Sequence, residues 1–185
     1  QQPALIDLLR HDARHYAHKP AIRIGGVALT YAELERRVDA AARALGKYVK
    51  TGDRVGLWLE NSFAWIASFL ALNALGAVSV PVNTRLTASE CRGILRDAQA
   101  RVVVTARRYR GRDYLDEISA AAAADDDSFL ALAASDDRPP AEWPVSAVRA
   151  SPAAPAAENI DDLLCIQYTS GTTAMPKGVL LTNRA

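Results

Sequence analysis

One polar stretch carries the strongest signal in the sequence: Tyr168-Thr169-Ser170-Gly171-Thr172-Thr173-Ala174-Met175-Pro176-Lys177-Gly178. It follows an apolar run, residues 163–166, which predicts a short buried strand. Such a loop can turn backbone N–H groups and hydroxyls toward one anion, and its lysine adds a mobile positive charge. The stretch therefore predicts a loop that holds a polyphosphate.

Two other interpretations of this loop can be weighed from residue types alone. A Walker phosphate loop would end in Gly-Lys-Ser/Thr, whereas Pro176-Lys177-Gly178 stands here, so the standard form of that loop is excluded. A polar surface turn with a chance lysine is the simpler alternative, because glycine- and threonine-rich turns are common.

Length and composition are those of an ordinary globular domain. The chain has 185 residues, of which 50% are hydrophobic and 23% charged, enough for one domain with a sizeable core. The formal net charge of +1 gives no reason to expect a nucleic-acid partner. The two cysteines, Cys91 and Cys165, provide neither a disulfide framework nor a metal-binding spacing, which favours a cytoplasmic location.

The segment 61–84 carries no charged residue and is long enough to cross a membrane. It contains Asn73, Gly76 and Pro81, however, and Gly76 stands where a helix should end. A buried helix over 62–75 followed by a buried strand over 78–81 is therefore the preferred prediction.

Strands and helices alternate along the first two thirds of the sequence. Strands are predicted at 55–59, 78–81 and 102–105, and capping boxes at Thr30–Glu33 and Thr87–Glu90 begin two of the helices. Alternation at this spacing predicts parallel strands with right-handed crossovers. The predicted fold class is α/β, a layered parallel or mixed sheet with flanking helices.

Shorter signals complete the predicted order of elements. A helix is predicted at 5–16, a hairpin around Gly25-Gly26, a helix at 114–124 and strands at 128–133 and 179–181. Cys91 falls on the buried face of its helix, as a core residue rather than a reactive thiol. The predicted organisation is an α/β subdomain over 1–134, a Pro/Ala-rich linker over 135–159, and a strand with the phosphate loop over 160–185.

The polar stretch resembles the signature loop of the adenylate-forming superfamily, which includes acyl-CoA synthetases, luciferases and adenylation domains of peptide synthetases. The one departure is Ala174, where the family usually has glycine. Further segments resemble family motifs in the right order: Leu29-Thr30-Tyr31-Ala32-Glu33-Leu34, Gly52-Asp53-Arg54-Val55 and Pro81-Val82-Asn83-Thr84-Arg85-Leu86. The last of these favours acyl-CoA synthetases over peptide synthetases. The resemblance covers residues 5–184 and only the opening part of the family's catalytic unit.

The resemblance implies an acid–thiol ligase that forms AMP. A long-chain fatty acid would react with ATP, with Mg²⁺ present, to give an acyl-adenylate, and coenzyme A would then displace AMP. Lys177 would be the catalytic residue and Thr172 would lie near the metal. The phosphates would be held by the polar stretch, namely by Thr169, Ser170, Gly171, Thr172, Thr173, Lys177 and Gly178.

Several alternatives remain open beside this expectation. The acyl group could pass to a carrier protein instead of coenzyme A, or the chain could be an inert subdomain without turnover. Homodimerisation and peripheral association with a membrane are further possibilities. The arginines Arg107, Arg108, Arg110 and Arg112 could meet coenzyme A phosphates or an anionic membrane surface, although a solvated loop is the simpler interpretation. A metal site on the stripe Asp7, His11, His15 and His18 is likewise weaker than a solvated helix face.

Overall fold

The computed structural model describes residues 4–124, 129–148, 163–169 and 177–183. Within them the predicted alternation of helices and strands is confirmed. In chain order the elements are α1 (Leu5–His15), β1 (Pro20–Ile24), β2 (Val27–Thr30), α2 (Tyr31–Leu45), β3 (Arg54–Trp58), α3 (Phe63–Ala74), β4 (Val78–Pro81), α4 (Ala88–Asp97), β5 (Val102–Ala106), β6 (Arg108–Tyr109), β7 (Arg112–Asp113), α5 (Tyr114–Ala124), β8 (Phe129–Ala134), a 3₁₀ turn (Pro140–Glu142), β9 (Val145–Val148), β10 (Leu163–Thr169) and β11 (Lys177–Thr182).

A mixed sheet forms the centre of the domain, with strand order β11-β10-β4-β3-β5-β8-β9. The five strands from β10 to β8 run parallel, whereas the two edge strands, β11 and β9, pair antiparallel with their neighbours. The predicted α/β class with a parallel or mixed sheet is confirmed.

The helices cover both faces of this sheet. The chain steps from β3 to β4 on one side and then crosses back to β5 on the other side. Because parallel crossovers are right-handed, this reversal places α3 and α4 on opposite faces. Accordingly α3 packs with α1 and α2, while α4 packs with α5.

Local sequence signals position the helices of this domain. The Thr30 hydroxyl accepts from the Glu33 backbone N–H at 3.3 Å, and the Glu33 carboxylate accepts from the Thr30 N–H at 2.8 Å. Thr87 and Glu90 form the same reciprocal pair at the start of α4. Both predicted capping boxes are therefore confirmed, as is the β1–β2 hairpin, whose turn residues Gly25 and Gly26 have φ angles of 55° and 85°.

The uncharged segment folds as a buried helix and a buried strand, α3 and β4, in agreement with the preferred prediction. Among the residues that the structure describes, no helix is long and apolar enough to cross a membrane.

Cys91 is a fully buried core residue on α4, as predicted. Burial raises the pKa of its thiol, so the side chain stays protonated and unreactive at neutral pH. Cys165 is also buried, on β10, and burial raises its pKa as well.

The start of the segment interpreted as a linker is packed against the domain. The Asp136 carboxylate accepts hydrogen bonds from the backbone N–H groups of Phe63 and Ala64. At the start of α3 these groups have no partner within the helix. Trp143 is buried, and β9 then pairs with β8. The sequence pattern did not predict this strand, and residues 149–159 lie outside the described part of the chain.

Candidate active site

The polar stretch occupies the end of a β-hairpin. The sequence predicted that this strand would end at residue 166. In the structure β10 continues through Tyr168 to Thr169. Strand β11 begins at Lys177, and Thr169 is the partner of Lys177 across the pair. Thr169 and Lys177 therefore mark the two ends of the intervening loop.

The structure places three of the predicted site residues and not the other four. Thr169, Lys177 and Gly178 are exposed and lie together at the end of the hairpin. Ser170, Gly171, Thr172 and Thr173 lie outside the described residues, as does Ala174. The predicted roles of all seven stay predictions.

Four contacts hold the hairpin to the rest of the domain. Cys165 pairs with Ser79 on β4, and the Ser79 hydroxyl donates to the Leu164 carbonyl at 3.2 Å. At the other end of the hairpin, the Asn73 amide donates to Asn183 Oδ1 at 3.1 Å. The Tyr168 hydroxyl donates to the Asp97 carboxylate at 2.5 Å.

An open cleft of about 500 Å³ lies beside this hairpin. Its walls are formed by residues that follow β3, β4 and β5, together with α3 and β10. In α/β sheets ligands bind outside the carboxyl ends of the strands, and this cleft lies at the carboxyl ends of β3 and β4. It is lined by Leu59, Glu60, Asn61, Trp65, Pro81, Val82, Asn83, Thr84, Tyr109 and Gln167.

The cleft wall after β4 is held by side chains beneath it. The Trp58 indole donates to the Asn83 carbonyl at 3.2 Å, and the Tyr114 hydroxyl donates to the Thr84 carbonyl at 2.8 Å. Arg112 donates to the carbonyls of Thr84 and Leu86 at 3.3 and 3.1 Å. Burial raises the pKa of Tyr114, so its hydroxyl remains a donor at neutral pH.

Arg112 is fixed by further contacts. Its guanidinium pairs with the Glu117 carboxylate, with a closest N–O distance of 2.5 Å, and it lies over the Tyr114 ring at 4.6 Å. Arg112 thus has a structural role, in contrast to the exposed Arg107, Arg108 and Arg110. The four arginines therefore differ in environment, with Arg112 held by contacts and the other three exposed.

The predicted helix stripe shows no metal geometry. The His11 and His15 rings stack at 4.2 Å on an exposed face. In the described ranges no three His, Cys, Asp or Glu side chains are grouped so that they could hold an ion. The exposure of these rings is what the solvated-face interpretation expects.

Sequence reasoning missed most of the polar residues of the cleft. Glu60 and Asn61 follow β3, Asn83 and Thr84 follow β4, and Gln167 lies on β10 one residue before the quoted stretch. The signal was available in principle, because the residues after two predicted parallel strands must meet at the carboxyl edge of the sheet.

Known proteins resemble this chain over nearly all of its length. The sequence profile of the AMP-binding enzyme family matches residues 9–185. Feruloyl-CoA synthase from Amycolatopsis sp is 37% identical over 174 residues, which is 92% of this chain and 32% of that protein. The fatty acid–[acyl-carrier-protein] ligase ScoC from Streptomyces coeruleorubidus is 31% identical over 186 residues, or 100% of this chain and 34% of that protein.

A solved structure shows the same architecture. The Mycobacterium tuberculosis fatty acyl CoA synthetase superposes with a TM-score of 0.73 at 28% identity, over 97% of this chain and 34% of that chain. The present chain thus spans about a third of the length of these relatives. The match of the family profile, the order of the motifs and the shared fold agree: the chain belongs to the AMP-binding enzyme family.

Proposed function

We propose that this chain is the nucleotide-phosphate-binding part of an ATP-dependent acid–thiol ligase. The observation that carries the proposal is the placement of Thr169 and Lys177. They face each other at the end of a hairpin whose first strand is parallel to β4, beside a cleft at the carboxyl ends of β3 and β4. Membership of the AMP-binding family supports the same chemistry.

In the first step, a carboxylate oxygen attacks the α-phosphorus of ATP. The bond from that phosphorus to the bridging oxygen of the β-phosphate breaks, and pyrophosphate leaves with the electron pair. Negative charge builds on the phosphoryl oxygens, so positioned donors and a cation accelerate the step. Thr169 and the residues after it would donate to the β- and γ-phosphates, and Lys177 would bring its charge to the same oxygens.

In the second step, the thiol of coenzyme A attacks the acyl carbon, AMP leaves, and the thiol proton is lost to solvent or base. The cleft beside the hairpin is the proposed approach for the acceptor, because it opens at the same sheet edge as the loop. Its polar residues, such as Asn83 and Gln167, offer hydrogen-bonding groups there.

Magnesium enters this proposal as part of the substrate, MgATP. Mg²⁺ binds largely through nucleotide phosphates and water, with few protein ligands. Thr172 is the proposed protein hydroxyl next to it.

For the acyl group we propose a long-chain fatty acid. Support for a fatty acid comes from the similar fatty acyl CoA synthetase structure. The segment Pro81 to Leu86 supports only an acyl-CoA synthetase over a peptide synthetase. Feruloyl-CoA synthase, an equally extensive match, favours an aromatic acid as the competing substrate.

Transfer to a carrier protein is the second candidate function. It is favoured by ScoC, a carrier-protein ligase that matches the whole chain. The two functions share the adenylation step and differ only in the thiol that accepts the acyl group.

The test is product analysis with the complete gene product that contains these residues. It would be incubated with MgATP, either coenzyme A or a holo-carrier protein, and either palmitate, octanoate or ferulate. The proposal expects AMP and acyl-CoA in equal amounts, with palmitate the best acid. Formation of ADP would contradict the reaction class, preference for ferulate would overturn the fatty-acid assignment, and transfer only to the carrier would establish the second candidate.

A further inference from the structure

The side chain of Tyr168, near the end of β10, connects the hairpin to helix α4. The Tyr168 hydroxyl donates a hydrogen bond to Asp97 Oδ2 at 2.5 Å, across 71 residues of sequence. Tyr168 is followed by Thr169, the last residue of β10, so this contact lies next to the point where the loop begins.

The ring of Tyr168 also covers Gly178, its partner across the hairpin. A Cβ atom on Gly178 would lie 2.9 Å from Ile166 Cγ2, closer than real Cβ atoms pack, and 3.2 Å from Tyr168 Cζ, which is tighter than most such contacts. Gly178 is not among the glycines with a positive φ. Room for the Ile166 and Tyr168 side chains, rather than backbone conformation, therefore explains the glycine.

Asp97 is an unusual residue for its position in α4. It is the last residue of the helix, where the helix dipole disfavours an acidic side chain. Arg54 lies close by and donates to the Ala98 carbonyl at 2.9 Å and to Gln99 Oε1 at 3.2 Å. The Asp97 carboxylate itself accepts the hydrogen bond of the Tyr168 hydroxyl.

The protonation state of Tyr168 suits this bond. Burial, followed by the hydrogen bond to Asp97, raises the pKa of the phenol. The hydroxyl therefore stays protonated throughout the neutral range and remains the donor.

Building on the proposed function, we propose that Tyr168 is a positioning residue for adenylation. Its bond to Asp97 and its ring over Gly178 fix both strands at the base of the loop relative to the sheet. Thr169 and Lys177, which directly follow and precede these two residues, are thereby held where the phosphates of ATP must bind. Small displacements of catalytic groups have large effects on rate, so loss of this anchor should slow the chemical step.

The experiment compares the complete gene product with its variants Tyr168→Phe, Asp97→Ala and the double variant. Tyr48→Phe, at an exposed tyrosine outside the hairpin, is the matched control. Adenylation is followed by carboxylate-dependent exchange of pyrophosphate into ATP, and local stability by amide hydrogen exchange of peptides from 163–183. We expect each single variant to lower kcat about 10-fold with a smaller change in KM for ATP.

The double variant should be no slower than the single variants, because both remove the same bond. Amides in 163–183 should exchange faster in both single variants than in wild type. The exchange of amides in α2 and the melting temperature of the domain should stay close to wild type. Asp97→Asn, which keeps an acceptor oxygen, should recover part of the rate. An unchanged kcat, strictly additive losses or unchanged exchange in 163–183 would each overturn the proposal.

The two proposals fail in distinguishable ways. A wild-type protein with no carboxylate-dependent exchange would refute the proposed function. The hydrogen-exchange comparison would still decide whether Tyr168 and Asp97 anchor the hairpin.

Discussion

Tyr168 and Gly178, the first and last residues of the polar stretch, lie directly opposite each other across the β10–β11 pair. The stretch is therefore the end of a hairpin rather than a loop that simply follows a strand. The backbone of Lys177 is fixed by pairing with Thr169, while its exposed side chain retains a flexible four-carbon stem. A fixed backbone with a mobile side-chain charge suits a residue that must meet a negative charge developing during the reaction.

Replacement of Lys177 by alanine should act on the rate more than on substrate binding. In the complete gene product we expect Lys177→Ala to reduce kcat for adenylation about 100-fold, since it removes a charge that stabilises the transition state. KM for the carboxylic acid should change little. Lys47→Ala, at an exposed lysine outside the hairpin, is the control, and an unchanged kcat with a large rise in KM for the acid would count against this role.

Two glycines should respond to alanine with opposite signs. A Cβ on Gly56, in the central strand β3, would lie 2.5 Å from Leu95 Cδ2 and 2.9 Å from Val103 Cγ2, so Gly56→Ala should destabilise the domain by about 1–3 kcal/mol. An added Cβ on Gly93, in α4, would meet no atom within 4 Å beyond its chain neighbours and its own helix backbone, and Gly93→Ala should stabilise by about 0.5–1 kcal/mol. Urea unfolding measures both, and equal effects would show that α4 does not pack as described.

The Arg112 network should contribute to stability as well as to the shape of the cleft. Arg112→Ala removes donors from two carbonyls and from Glu117, and should cost about 1–3 kcal/mol in unfolding free energy. Arg112→Lys should recover only part, because an ammonium lacks the planar fork. The exposed Arg108 supplies the control, and a loss at Arg112→Ala no larger than at Arg108→Ala would refute this role.

The capping box of α2 should make stability depend on acid pH. Hydrogen bonds from the Thr30 backbone and side chain lower the pKa of Glu33 below its ordinary value. This stabilisation is present above the pKa of the unfolded chain, near pH 4.3, and is lost as pH falls through the lower folded value.

Glu33→Gln keeps a capping amide but does not titrate. The stability advantage of wild type over Glu33→Gln, measured by urea unfolding, should therefore shrink between about pH 5 and pH 3. Glu35→Gln, on the same helix but outside the capping box, is the control. An advantage of constant size across this range would contradict the assignment.

The sequence predicted those parts of the fold that local patterns determine. The capping boxes at Thr30 and Thr87 and the apolar runs between them were sufficient for α2, β3, α3, β4 and α4. Strand β9 was missed because it is short, follows a proline-rich segment and is stabilised by pairing with β8 rather than by its own pattern. The segment before β9 is anchored by Asp136, which accepts a hydrogen bond from the start of α3, and by the buried Trp143. Both make tertiary contacts that have no local sequence signature.

In the candidate site, too, features with a local sequence pattern were predicted, and features that depend on distant contacts were not. The loop residues were found because their order is distinctive, but the bond from Tyr168 to Asp97 joins groups 71 residues apart and has no sequence period to reveal it. The strand ends at Thr169 and Lys177 were mistaken for loop because the cross-strand pairing that extends them depends on two separate segments.

The most direct test of the central proposal is carboxylate-dependent exchange of labelled pyrophosphate into ATP, measured with the complete gene product and without coenzyme A. If the hairpin holds the phosphates for adenylation, label should enter ATP only when a suitable acid such as palmitate is added, and Lys177→Ala should nearly abolish the exchange. Failure of palmitate, octanoate and ferulate alike to promote exchange, or exchange at full rate in Lys177→Ala, would contradict the account.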